Sequence, residues 1–195
     1  MNQKIHRTVL MGIGIVLAAM SAGCAMGNRE IALTYKPVAN MKGANSASIA
    51  IVKFADSRKT EEVGEVRNGY GMKTASVYAK GQDVGAWVAN AVADELTAAG
   101  YNITKYNDFA PPDSQISITG NVLEAYTKMY MSSTCTIRAT INVSKGNVPV
   151  LSKEYSGKHG VLAILANTGE YENAMKGALQ DMMKKCIPEI IEATK

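Results

Sequence analysis

Hydrophobic and polar positions follow three patterns along this chain. Residues 9–20 form one unbroken apolar run with no amphipathic period. Twelve residues are too few to cross a hydrocarbon core as a helix, which takes ~20, and basic Lys4 and Arg7 precede the run without an acid. The pattern is that of a secretory signal. Strand-like alternation begins at residues 48–55 and stops at the polar turn Asp56-Ser57-Arg58. Residues 63–66 and 73–78 then predict a hairpin around Asn68-Gly69 and Gly71.

Helical spacing takes over at Val84, Trp87, Val88, Ala91, Val92 and Leu96. Asp83 stands where an N-cap belongs, and Gly100 is placed to close the helix in a left-handed conformation with Tyr101 folding back on the last turn. After a strand at 101–106 and the loop marked by Pro111-Pro112, three strands are predicted at 115–131, 134–144 and 148–156. In the middle one, Cys135, Ile137, Ala139, Ile141 and Val143 alternate with Thr134, Thr136, Arg138, Thr140 and Asn142. In the first, the alternation changes face near Gly120, which predicts a bulge or bend. Lys145-Gly146-Asn147 suits a hairpin turn, and Ser156-Gly157-Lys158-His159-Gly160 also reads as a turn. The last segment sets Tyr171, Ala174, Met175, Ala178, Leu179, Met182 and Cys186 on one helical stripe, with Thr168 as cap. Pro188 is expected to kink or end that helix.

This order, strand, hairpin, helix, strand, three-strand meander, helix, predicts one α+β domain with a mixed, mostly antiparallel sheet and two helices on one face. Residues 25–47 carry Gly27, Asn28, Pro37, Gly43 and Asn45 around one short alternation, Ile31 to Tyr35, and read as a tether with one edge strand in it. The expected division is therefore a signal over 1–23, a tether over 24–47 and the domain over 48–195. At ~3.3 Å per residue such a tether would hold the domain several nanometres from its attachment point.

Ser21-Ala22-Gly23-Cys24 resembles the lipobox of bacterial lipoproteins, with Ser21 where that pattern usually has Leu. The resemblance implies that Cys24 is lipidated and becomes the first residue of the mature protein. The alternative is an ordinary cleaved signal without lipid. Several acyl chains on one cysteine anchor a protein stably where a single chain binds marginally. Ala25, rather than Asp, follows the cysteine, which under the enterobacterial sorting rule implies the outer membrane.

The lipobox, the strand ending Asp56-Ser57-Arg58, Gly64, the hairpin Arg67-Asn68-Gly69-Tyr70-Gly71 and the helix closing on Gly100-Tyr101 together resemble the YajG-like envelope lipoproteins. The resemblance implies a location and a fold, and no activity. The element order is also similar to the small α/β domain of the TolB N-terminal region and of penicillin-binding-protein activator lipoproteins. Helices there cover one face of a mixed sheet and the domains are interaction modules, an analogy of fold only.

Composition narrows the chemistry. The 195 residues carry 21 Lys and Arg against 17 Asp and Glu, a net +4 that falls to +2 once Lys4 and Arg7 leave with the signal. Charge this weak argues against nucleic acid as a partner. His159 would be the one histidine left, so no metal site, cofactor or Ser-His-Asp arrangement is expected, and no Gly-x-Ser-x-Gly elbow or phosphate loop is present. Asp56 and Arg58 are read as structural partners of each other or of Glu65 and Arg67, and Trp87 as a core anchor. Tyr126, Lys128 and Tyr130, with Met129 and Met131, form an amphipathic stretch, either ordinary sheet packing or a contact surface. Cys135 and Cys186 both fall on apolar faces and are either buried thiols or a disulfide, which an oxidising compartment would permit. The expected function is a non-enzymatic, lipid-anchored interaction module of the outer membrane with an envelope protein as partner. A small-ligand or lipid carrier is the alternative.

Overall fold

The structure, a computed structural model, describes residues 27–42, 48–111, 114–130, 132–162 and 167–195. The signal segment and Cys24 lie outside these. Nine strands form one mixed sheet: β1 (Arg29–Ile31), β2 (Ser48–Val52), β3 (Ala55–Asp56), β4 (Gly64–Arg67), β5 (Lys73–Ala79), β6 (Asn102–Tyr106), β7 (Ile116–Tyr130), β8 (Ser132–Lys145) and β9 (Val148–Leu162). Among the described residues two helices complete it, α1 (Val84–Ala98) and α2 (Thr168–Thr194). The architecture is α+β, as the alternation and element order predict.

β7 organises the sheet. One of its edges runs antiparallel to β8 over its whole length, and β8 continues to β9. Its other edge takes three short parallel partners in turn: β2 at Ile49↔Ile116, β3 at Ala55↔Asn121 and β4 at Gly64↔Thr127. β6 extends the sheet beyond β2, while β5 and then β1 extend it beyond β4. Both helices cover the same face. α1 packs on β2, β3, β6 and β7, and α2 lies along β8 and β9, touching α1 and β1.

Local chemistry specifies α1 at both ends. The Asp83 side chain accepts from the Ala86 amide at 2.8 Å, and Gly100 (φ 98°) lets the Tyr101 amide reach the Leu96 carbonyl at 3.0 Å. The face change in β7 is a bulge between Val122 and Glu124. It leaves Leu123 half-buried and brings Val122 and Ala125 to the core side.

Four expectations are corrected. The α2 cap is Asn167 rather than Thr168, in a capping box with Glu170. Pro188 does not end the helix, which continues to Thr194 with Ile187, Ile190 and Ile191 buried beneath it. Three such side chains, at about 1.5–3 kcal/mol each, outweigh a proline penalty of about 3 kcal/mol. Residues 156–160 are not a turn but part of β9. Gly157 serves close approach there, since a Cβ would stand 2.0 Å from the Ala178 carbonyl oxygen of α2.

The fourth correction concerns the tether, where the expected edge strand forms as β1 and the residues after it, as far as Ala39, are docked on the domain as well. β1 pairs with β5, and Ile31 and Leu33 are buried. The Ala32 amide donates to Glu172, while Gln82 receives the Leu33 amide at 2.5 Å and donates to its carbonyl. Trp87, a core anchor as predicted, donates its indole N–H to the Thr34 carbonyl. Glu95, fully buried in α1, accepts from the Tyr35 hydroxyl and from the amides of Val38 (2.8 Å) and Ala39 (2.9 Å). A buried carboxylate is tolerable only when donors satisfy it, and this strand-like segment supplies them.

Candidate functional site

With both helices on one face, the other face of β7, β8 and β9 is left to solvent, and it carries the polar half of the alternation. Asp56 and Arg58 stand beside it and pair with each other. The guanidinium donates to both carboxylate oxygens, at 2.9 and 2.8 Å, and also to the Glu62 carbonyl at 3.1 Å. This bidentate geometry clamps the loop between β3 and β4. Glu62 accepts from Lys73 at 2.5 Å and from the Ser76 hydroxyl at 2.6 Å, and these two donors hold its carboxyl below the usual range. Next along, Arg67 pairs with Glu65 at 2.6 Å. The Asp56 and Arg67 regions are thus structural pairs, as their sequence predicts.

The β7 bulge faces this loop. Arg58, Lys59, Thr60 and Glu62 form one wall, Leu123 to Tyr126 the floor and Arg138 of β8 the far wall of a groove of about 330 Å³. Arg138 is spanned between Glu124 (3.2 Å) and Glu154 (3.0 Å). The Tyr126 hydroxyl donates to Glu65 at 3.3 Å, and burial together with that carboxylate raises its pKa. The groove therefore presents the Tyr126 ring and the Leu123 side chain between arginines already matched by carboxylates. Such a surface suits shape-selective contact with a polar partner better than capture of a bare anion.

The predicted contact residues separate here. Tyr126 forms part of the groove, and Lys128 is exposed outside it. The Tyr130 side chain and Met131 lie outside the described residues, as does Cys24. Sequence reading missed Thr60, Leu123 and Arg138. Of these, Arg138 left a signal, as the one charge among the threonines on the polar half of β8.

Cys135 and Cys186 are buried free thiols. Cys135 Sγ sits 3.3 Å from Met175 Sδ, and Met175 precedes Cys186 by eleven residues of α2, or about 16 Å of rise. A disulfide needs α-carbons within about 7 Å, so the fold keeps the two apart. His159 is exposed on β9 and covers Gly177, where a Cβ would meet its ring at 2.3 Å. Among the described residues no three His, Cys, Asp or Glu side chains are grouped to hold a metal ion.

A family model described as uncharacterized lipoprotein matches residues 35–191. No curated protein matches the chain. Among solved structures, protein XCC0632 from Xanthomonas campestris is similar at 13% identity and TM-score 0.61, covering 85% of this chain and 95% of that one. Protein CT253 from Chlamydia trachomatis is 9% identical with a TM-score of 0.48, covering 77% of this chain and 96% of that one. Lipoprotein GNA1162 from Neisseria meningitidis is 16% identical with a TM-score of 0.42, covering 75% and 99%. The first of these is a likeness of fold.

Proposed function

Because the chain belongs to the family of uncharacterized, YajG-type lipoproteins, whose model spans residues 35–191, we propose that it is a non-enzymatic interaction module tethered by acylated Cys24 to the periplasmic side of the outer membrane. The lipobox-like Ser21-Ala22-Gly23-Cys24 supports the anchor, and Ala25 after the cysteine supports the outer membrane as its location. Removal of residues 1–23 leaves Cys24 at the N-terminus.

The observation that carries the interaction role is the groove at the β7 bulge, on a sheet face that neither α1 nor α2 covers. An envelope protein with a polar, ridge-like surface is its expected partner. The carrier alternative finds less support, since small-ligand sites enclose most of their ligand, whereas this groove is open to solvent and rimmed by charged side chains.

One experiment tests both parts. A photo-crosslinking amino acid replaces Tyr126 in the full chain in cells, with the exposed α2 position Lys184 as control, each with and without Cys24→Ala. A discrete protein adduct at 126 and not at 184, with Cys24→Ala releasing the protein from the membrane fraction, is the expected result. No adduct at 126 together with copurifying lipid would favour the carrier. Retention of Cys24→Ala in the membrane would sink the anchor.

A further inference from the structure

Four Cα-to-Cα steps, across residues 25–27, separate Cys24 from Asn28, the first residue the fold holds in place. Asn28 accepts from the Ser76 amide at 2.9 Å, and from Arg29 onward β1 is paired with β5. Fully extended, four residues span about 14 Å. The docking of residues 29–39 has thus shortened the leash from several nanometres to less than the width of the domain.

The direction of that leash follows from the strand register. β1 runs parallel to β5 with Arg29 opposite Val77, so the chain before Asn28 leads toward Lys73 and the β4–β5 turn. Lys73 is three residues from Ser76, about 10 Å, which is within the leash. β4 in turn runs parallel to β7 with Glu65 opposite Lys128, so its turn lies at the same end of the sheet as Tyr130. Ser132 of β8 pairs with Leu162 of β9 there as well. One end of the molecule therefore gathers the start of β1, within reach of the leash, the β4–β5 turn and the end of β9.

Three large apolar side chains stand in water at that end, as Phe109 does on the β6–β7 loop and Val148 at the opposite end of β9. Tyr70 is 90% exposed, Met72 59% and Leu162 78%. The turn holds Tyr70 and Met72 outward, because the Asn68 side chain accepts from both of their amides. Exposed Lys128 lies nearby on β7. Tyrosine and lysine beside aliphatic side chains are what a membrane interface selects.

We infer that this end sits on the bilayer that carries the anchor, with Tyr70, Met72 and Leu162 entering its headgroup region. The inference rests on the acylation of Cys24 proposed above. It deepens that reading by giving the domain an orientation: the β8–β9 turn, with exposed Val148, points away from the membrane. Val148 and Leu162 are fourteen residues apart on β9, about 46 Å, so only one of them can touch the surface.

The test uses the full lipidated protein in vesicles of phosphatidylethanolamine and phosphatidylglycerol containing spin-labelled acyl chains. Tyr70→Cys, Leu162→Cys and Val148→Cys variants each carry one fluorophore, the buried Cys135 and Cys186 remaining unlabelled. Quenching at 70 and 162 at least twofold above that at 148 is expected. Equal quenching at all three positions, with acylation of Cys24 verified by peptide mass, overturns the orientation and leaves the anchor standing. Absence of the acyl mass overturns the anchor and the orientation with it. Labels at 70 and 162 already shielded in detergent-solubilised protein, with adducts between copies, would assign this end to a second copy instead.

Discussion

Cys135 and Cys186 show how one side chain's surroundings decide its chemistry. Burial pushes both thiols up to about 12, well above the ordinary thiol range. A group whose pKa is raised by folding adds stability that is full below its unfolded value and fades as pH climbs toward the folded one. Stability should therefore decline from about pH 9 upward as the unfolded thiols ionise. At pH 8, without reductant, a maleimide should label neither cysteine in the folded mature protein and both in denaturant. Fewer than two in denaturant would contradict the free thiols. Their apolar positions were legible in the sequence from periodicity alone. Their separation was not, because it depends on where α2 lands on β8.

The packing of α2 on β9 rests on glycine at the contact. Gly157→Ala would place a Cβ 2.0 Å from the Ala178 carbonyl oxygen and 2.5 Å from the Met182 amide nitrogen, so backbone must move. A loss of about 1–3 kcal/mol is expected, seen as a fall of several degrees in Tm. Gly160→Ala, three residues on, meets nothing closer than 3.8 Å and should leave Tm nearly unchanged. Equal effects of the two would show that the contact is not what requires Gly157. In sequence the two glycines look alike and suggest a turn. What separates them is a helix packed on one of them, a fact absent from any short window. The ends of α1, by contrast, were readable, since Asp83 and Gly100 act on amides and carbonyls within one turn of themselves.

For the molecule as a whole, the decisive feature is that a segment with tether-like composition is part of the fold. Glu95 couples the two, accepting three hydrogen bonds from residues 35–39 while fully buried in α1. Glu95→Ala leaves those donors without an acceptor and should cost at least about 2 kcal/mol. Limited proteolysis should then cut within residues 32–42 at protease levels that spare the wild type. Unchanged stability and protection would show that the segment docks through β1 and Trp87 alone. Most strands, the hairpin turns and both ends of α1 were determined by the sequence itself, because each depends on alternation or on a residue within one turn. The docking of residues 28–39, the groove at the β7 bulge and the grouping of Tyr70, Met72 and Leu162 at one end of the sheet were decided only in three dimensions. Each joins residues dozens of positions apart, and the energy that joins them comes from burying surfaces that meet only once the sheet has formed.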